Sequence, residues 1–206
     1  TATPLLAGAK ARVDFSQQGY SISGGSARVL GSDVSFDGGV QPDGSQRFTA
    51  QGVVSADALR RAPELGPLSR LAANLAGQTA YRLALGMVRG RTEFTLTSPM
   101  TGLTIDLPAP LKKPGEVAWP LRVESRLANA AAGEPERDTL RVELGTVIQA
   151  QYQRDLSGEA AKVLRGAIAV LDGLPPLPER GVHALLNLPA IDADAWQAWA
   201  DRVQGA

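Results

Sequence analysis

Very few residues in this chain are equipped for covalent chemistry. Its single histidine, His183, lies in the alternating stretch VHALLNL. No G-x-S-x-G elbow exists to supply a serine nucleophile beside it, so it reads as a surface or edge-strand histidine. There is no cysteine, which removes disulfides, thiolate metal sites, iron–sulfur clusters and thiol nucleophiles. One imidazole without thiolates does not make a transition-metal set. Asp192 and Asp194 stand two apart, but a calcium loop needs more carboxylates, a glycine and a terminal Glu. They fit the N-cap and acidic first turn of a helix better. GGSARVLG (24–31) has glycines but lacks the phosphate-cradling pattern that opens a helix. Carboxylates for glycoside hydrolysis meet in space rather than in spacing, yet the acidic residues here fall mostly on wet faces and in loops. Trp196 and Trp199 read as one packed helix face rather than a sugar platform. Lys112 and Lys113 read as a solvated loop rather than a contact for anionic lipid. The expectation is a protein that is not an enzyme and has no metal site and no cofactor.

Bulk properties narrow the class further. The 206 residues carry 21 Lys+Arg against 21 Asp+Glu, and 44% are hydrophobic. That composition belongs to a folded chain, and the balanced charge argues against nucleic acid. No run of 18 apolar residues is present to span a membrane. The opening TATPLLAGAK has neither an initiator Met nor a signal pattern, so the chain reads as a single internal fragment, 1–206, of a longer β domain.

The elements are mostly strands. Residues 1–54 form a meander: Ala9, Ala11, Val13 and Phe15 alternate with Lys10, Arg12 and Asp14. Tyr20 and Ile22 resume the apolar face, Gly24 and Gly25 mark a bulge, and Val34 and Phe36 alternate with Asp33, Ser35 and Asp37. Pro42-Asp43-Gly44 is a turn, followed by Phe48, Ala50, Gly52 and Val54. Residues 55–78 are a helical insert. Ser55 caps a short helix ended by Pro63, and 66–78 reads as a second, with Pro67 at N1, a Leu68/Leu71/Leu75 stripe and Gly77 as its stop. Residues 79–190 return to period two, through Tyr81, Leu83 and Leu85, Phe94 and Leu96, Leu103 to Leu107, and Leu121 to Leu127. Leu140 to Leu144, Ile148 to Tyr152, and stretches at 163–171 and 181–188 continue it. The four prolines in 107–120 make that stretch an extended loop, and 128–138 is a polar hairpin loop. Residues 191–204 form a C-terminal helix. About a dozen one-sided strands expose a large apolar face. It must be closed into a sandwich or barrel, continued by flanking sequence, or left as a groove holding something apolar. Period-two alternation alone does not choose among these.

Three blocks bear on that choice. QGYSISGGSARVLGSDVSFDGGVQPDG (18–44), TSPMTGLTIDLPAPLKKP (97–114) and LPPLPERGVHALLNLPAIDADAWQAW (174–199) occur in this order. Together they resemble the AsmA-like superfamily and, more closely, the YhdP family of large proteobacterial envelope proteins. The resemblance implies a mainly β chain with a few short helices (β-rich α+β): a large curved antiparallel sheet forming a trough or open half-barrel. A helix at 66–76 would pack against it, and another would close the C-terminus. It also implies a periplasmic segment of an inner-membrane-anchored bridge. Its apolar groove would conduct phospholipid from inner to outer membrane, and its partners would be acyl chains and the flanking segments of its own chain. The family brings no catalytic residues. Alternation nominates Val13, Phe15, Tyr20, Ile22, Val34, Phe36, Phe48, Tyr81, Leu83, Leu85, Phe94 and Leu96 as groove positions, some of which must pack under the helical insert. The competing reading is a non-catalytic structural or partner-docking β module of the envelope.

Overall fold

The computed structural model of the chain describes residues 6–88, 90–128, 135–158 and 160–204. Twelve strands run through it: β1 (Ala7–Ser16), β2 (Gly19–Val29), β3 (Ser32–Val40), β4 (Gln46–Ser55), β5 (Leu75–Val88), β6 (Arg91–Ser98), β7 (Leu103–Ile105), β8 (Leu121–Leu127), β9 (Arg137–Leu144), β10 (Ile148–Asp155), β11 (Lys162–Val170) and β12 (Gly181–Leu186). The helices are α1 (Ala56–Arg60), α2 (Pro67–Leu71) and α3 (Ala193–Gln204). Strands β1 to β6 and β8 to β12 pair in chain order as one open sheet, and the short β7 pairs the first residues of β5. The architecture is the expected one, mainly β with short helices and an unclosed sheet.

Local chemistry explains the connections. At 41–44 the Gly44 N–H donates to the Gln41 carbonyl (2.9 Å), and Asp43 Oδ1 accepts from the Ser45 N–H (3.0 Å). In β2, Ser23 and Gly24 together oppose the single Asp37, between the pairs Ile22–Gly38 and Gly25–Phe36. This is the anticipated bulge, with Gly24 at φ 58° and its N–H bonded to Asp37 Oδ1. The bulge keeps Ile22 and Gly25 on one face although they stand three apart in sequence. Ser55 caps α1 by accepting from the Ala58 N–H (3.2 Å). Asp192 caps α3 through Oδ1 and the Ala195 N–H (2.9 Å). The anticipated polar loop at 128–138 lies largely outside the described residues, which omit 129–134.

Three features differ from expectation. The second helix is shorter than 66–78: α2 ends at Leu71, a 3-10 turn follows at Ala72–Asn74, and Leu75 begins β5. Leu71 is exposed rather than packed. Pairing decides this, because Leu75, Ala76 and Gly77 align with Ile105, Thr104 and Leu103 of β7, and tertiary pairing overrides a weak helical propensity. Second, β12 runs parallel to β11, not antiparallel. The connection 171–180 carries Pro175, Pro176 and Pro178, which oppose a tight hairpin, and it is long enough to cross back to the starting rim.

Third, Lys113 is not solvated: it is fully buried. Its Nζ donates to the carbonyls of Leu103 (2.6 Å) and Pro114 (3.0 Å), and its backbone exchanges both hydrogen bonds with Ile105 (2.9 Å each). Lys112, by contrast, is exposed beside Asp106. The proline-rich segment 107–120 is thus an ordered loop held over a compact core of Ala56, Met100, Leu103 and Ile105, joined by Leu75, Leu107, Trp119, Leu121 and Leu144. The α3 tryptophans clip onto the same region. Trp196 Nε1 donates to the Ala109 carbonyl (3.1 Å) and Trp199 Nε1 to Asn74 Oδ1 (2.9 Å), with their rings edge-to-face at 5.6 Å. They form one packed face, as the spacing predicts.

Burial depresses the Lys113 ammonium below its ordinary 10.5, partly offset by Glu116. The cost of holding it charged is fully present below its folded-state value and fades as pH rises through that value toward 10.5. Denaturation of the wild-type chain should therefore show stability gained across that alkaline window, and Lys113→Met should lack the gain. Burial raises the Tyr81 hydroxyl above 10.0; that effect is common to both chains and cancels in the difference.

Candidate apolar groove

Side chains directly opposite one another in a ladder share a face, so the register can be read across the sheet. One file runs Gly25, Phe36, Ala50, Leu83, Leu96, Val123, Val142, Ala150, Ile168 and Ala184 from β2 to β12. Every member is apolar. The next file on that face runs Val13, Ile22, Gly38, Phe48, Leu85, Phe94, Ser125, Leu140, Tyr152, Gly166 and Val182, with Ser125 its only polar side chain besides the Tyr152 hydroxyl. The opposite face carries Lys10, Ser26, Ser35, Gln51, Arg82, Thr97, Arg122, Glu143 and Gln149 in a single file. One face is apolar and the other wet across most of the sheet.

The apolar face is concave. Leu6 and Ala9 at one edge line the same cavity, about 380 Å³, as Phe36, Phe48, Leu83 and Leu85. Four strand spacings separate β1 from β5, about 19 Å in a flat sheet, so a shared cavity of this size requires the sheet to curl. A second cavity of about 290 Å³ adjoins it at Val29 and Tyr81, roofed by Leu59, Leu65 and Leu68 of the helical insert. It reaches Leu96 and Leu121 on its far side.

All twelve nominated residues fall on this face by register. Val34, Phe36, Phe48, Tyr81, Leu83 and Leu85 line the first cavity. Tyr81 and Leu96 line the second, and so lie beneath the insert. Phe94 is half-buried between Leu85 and Ser125 but lines neither cavity. Tyr20 and Ile22 are half-buried, with the Tyr20 hydroxyl donating to Gln46 Oε1 (3.2 Å). Val13 and Phe15, on the edge strand, are exposed. Val123, Val142, Ala150 and Ile168, which were not among the twelve, extend the same file. Their alternation is as clear in sequence, but nothing there tells which of two possible sheets they join.

A buried polar cluster lies on the inner face near its rim. Asp138, almost wholly buried, accepts from Ser125 Oγ (2.6 Å) and from Arg154 Nε (2.9 Å) and Nη2. Satisfied on both oxygens, it is a fixed structural pair. His183 is exposed on β12. Among the described residues, no group of three or more His, Cys, Asp or Glu is placed to hold a metal ion, and no helix is long and apolar enough to cross a membrane.

The fold and this face define an open, curled β-sheet with a continuous apolar lining. The chain belongs to the YhdP protein family, whose model matches residues 2–206, and membership fits a protein of the cell envelope. No curated protein and no solved structure matches the chain.

Removing one member of a buried ion pair strands the other. Arg154→Met should lower the unfolding free energy by roughly 3 kcal/mol in denaturant titration. Adding Asp138→Asn should recover a substantial part of that loss.

Proposed function

We propose that this chain is a segment of a periplasmic lipid conduit, in which phospholipid acyl chains lie in the apolar groove and move along it between inner and outer membranes. The observation that carries the reading is the unbroken apolar file from Gly25 to Ala184, which runs across the strands and hence along the sheet. Acyl chain removed from water there gains about 0.8 kcal/mol per CH₂. Each step along the file exchanges one apolar contact for another, so a bound chain is held without being trapped. The helical insert covers only the stretch around Tyr81 and Leu96, and leaves Phe36, Phe48, Leu83 and Leu85 half-exposed. Half-exposed apolar side chains in one contiguous patch call for an occupant. The polar outer face would meet water.

The test is site-specific photo-crosslinking in the full-length protein in cells. Crosslinker at Leu83, Leu96 or Val123 should capture phospholipid, identified by mass spectrometry, while crosslinker at Arg82, Thr97 or Arg122 should not. Capture of protein without lipid at the inner positions would replace this reading with a docking module. In parallel, Phe36→Glu should abolish envelope-barrier function, read as antibiotic sensitivity, while the protein still accumulates. Thr97→Glu on the outer face should leave the barrier intact. Tolerance of the charge at Phe36 would sink the conduit.

A further inference from the structure

Three rings on the inner face stand opposite a glycine on the neighbouring strand: Phe36 opposite Gly25, Phe48 opposite Gly38, and Tyr152 opposite Gly166. Each ring fills the space a side chain on that glycine would need. A Cβ on Gly25 would lie 2.5 Å from Phe36 Cε2, and one on Gly166 would lie 2.5 Å from Tyr152 Cδ1. One on Gly38 would collide with Phe48 Cδ1. None of the three glycines has a positive φ, so no left-handed backbone calls for glycine, although a Cβ on Gly25 or Gly38 would also crowd a backbone carbonyl, Phe36 O at 2.5 Å or Arg47 O at 2.6 Å. Glycine inside a strand weakens it and commonly marks a close approach by another group. On its other side each ring faces Ala50, Leu85 or Leu140, and it leans away from that side chain onto the bare backbone.

We infer that Gly25, Gly38 and Gly166 set the bore of the groove. They are seats on which the aromatic rings recline along the floor instead of standing upright in the lumen. This rests on the acyl-chain reading: the space kept clear is the space a hydrocarbon chain would occupy. A methyl on a seat displaces the ring upward and narrows the passage without changing its apolar character.

Gly166 is the cleanest place to test this, because its two closest contacts are ring atoms and the nearest backbone atom stands at 3.2 Å. In the full-length protein, phospholipid capture by a photo-crosslinker at Ile168 would be compared across variants. Gly166→Ala should reduce capture several-fold, and Gly166→Ala/Tyr152→Ala should restore it. Tyr152→Ala alone should match the double variant, because with the ring gone the methyl at 166 has nothing to displace. Wild-type capture in Gly166→Ala overturns the seat and leaves the conduit standing. Equal loss in single and double variants also overturns it, by assigning the glycine's role to the backbone. No capture in the wild type removes the conduit and the inference together. Should Gly166→Ala fail to accumulate, recovery of accumulation and capture in the double variant supports the seat, and continued failure overturns it.

Discussion

Cross-strand pairing decides which residues share a face, and in this chain it collects the apolar members of successive strands on one side. An apolar surface of that size in water is unfavourable in proportion to its area. Curling shields part of it, and the insert around α1 and α2 roofs another part. What is left over is the groove. The site is therefore the unburied remainder of the same hydrophobic face that folds the sheet.

The strands were legible because each repeats one pattern over short distances, and a bulge or turn announces itself through glycine, proline and aspartate. The Gly24 bulge is the clearest case: read with plain alternation, β2 would turn its second half inside out. Two errors came from long-range pairing. Leu75 belongs to a helical stripe by spacing, and only β7, some thirty residues on, draws it into a strand. The direction of β12 depends on where ten proline-rich residues take the chain, which local periodicity does not encode. Lys113 misled differently. A lysine beside prolines is normally wet, and its burial depends on two backbone carbonyls that the loop itself turns inward.

The groove face was legible in parity but not in extent. Phe36, Leu83 and Leu85 could be nominated because their alternation is strong, and the same logic swept in Val13 and Phe15. Those two share the face yet sit on an edge strand with no further strand beyond it to shelter them. Which apolar residues line a cavity depends on curvature and on the insert's position, both of which emerge from packing between distant elements.

The reversed direction of β12 has a consequence for the sheet's two margins. Because β12 runs with β11, it ends at the margin where β4 gives way to α1 and where 99–120 loops out, and α3 then docks there through Trp196 and Trp199. Three separate irregular segments are thereby knitted together along one side. The opposite margin carries the connections after β1, β3, β5, β8 and β10 and receives 171–180 before β12. The helices and the proline-rich loop are thereby gathered on one border of the sheet, like the binding along a page's spine.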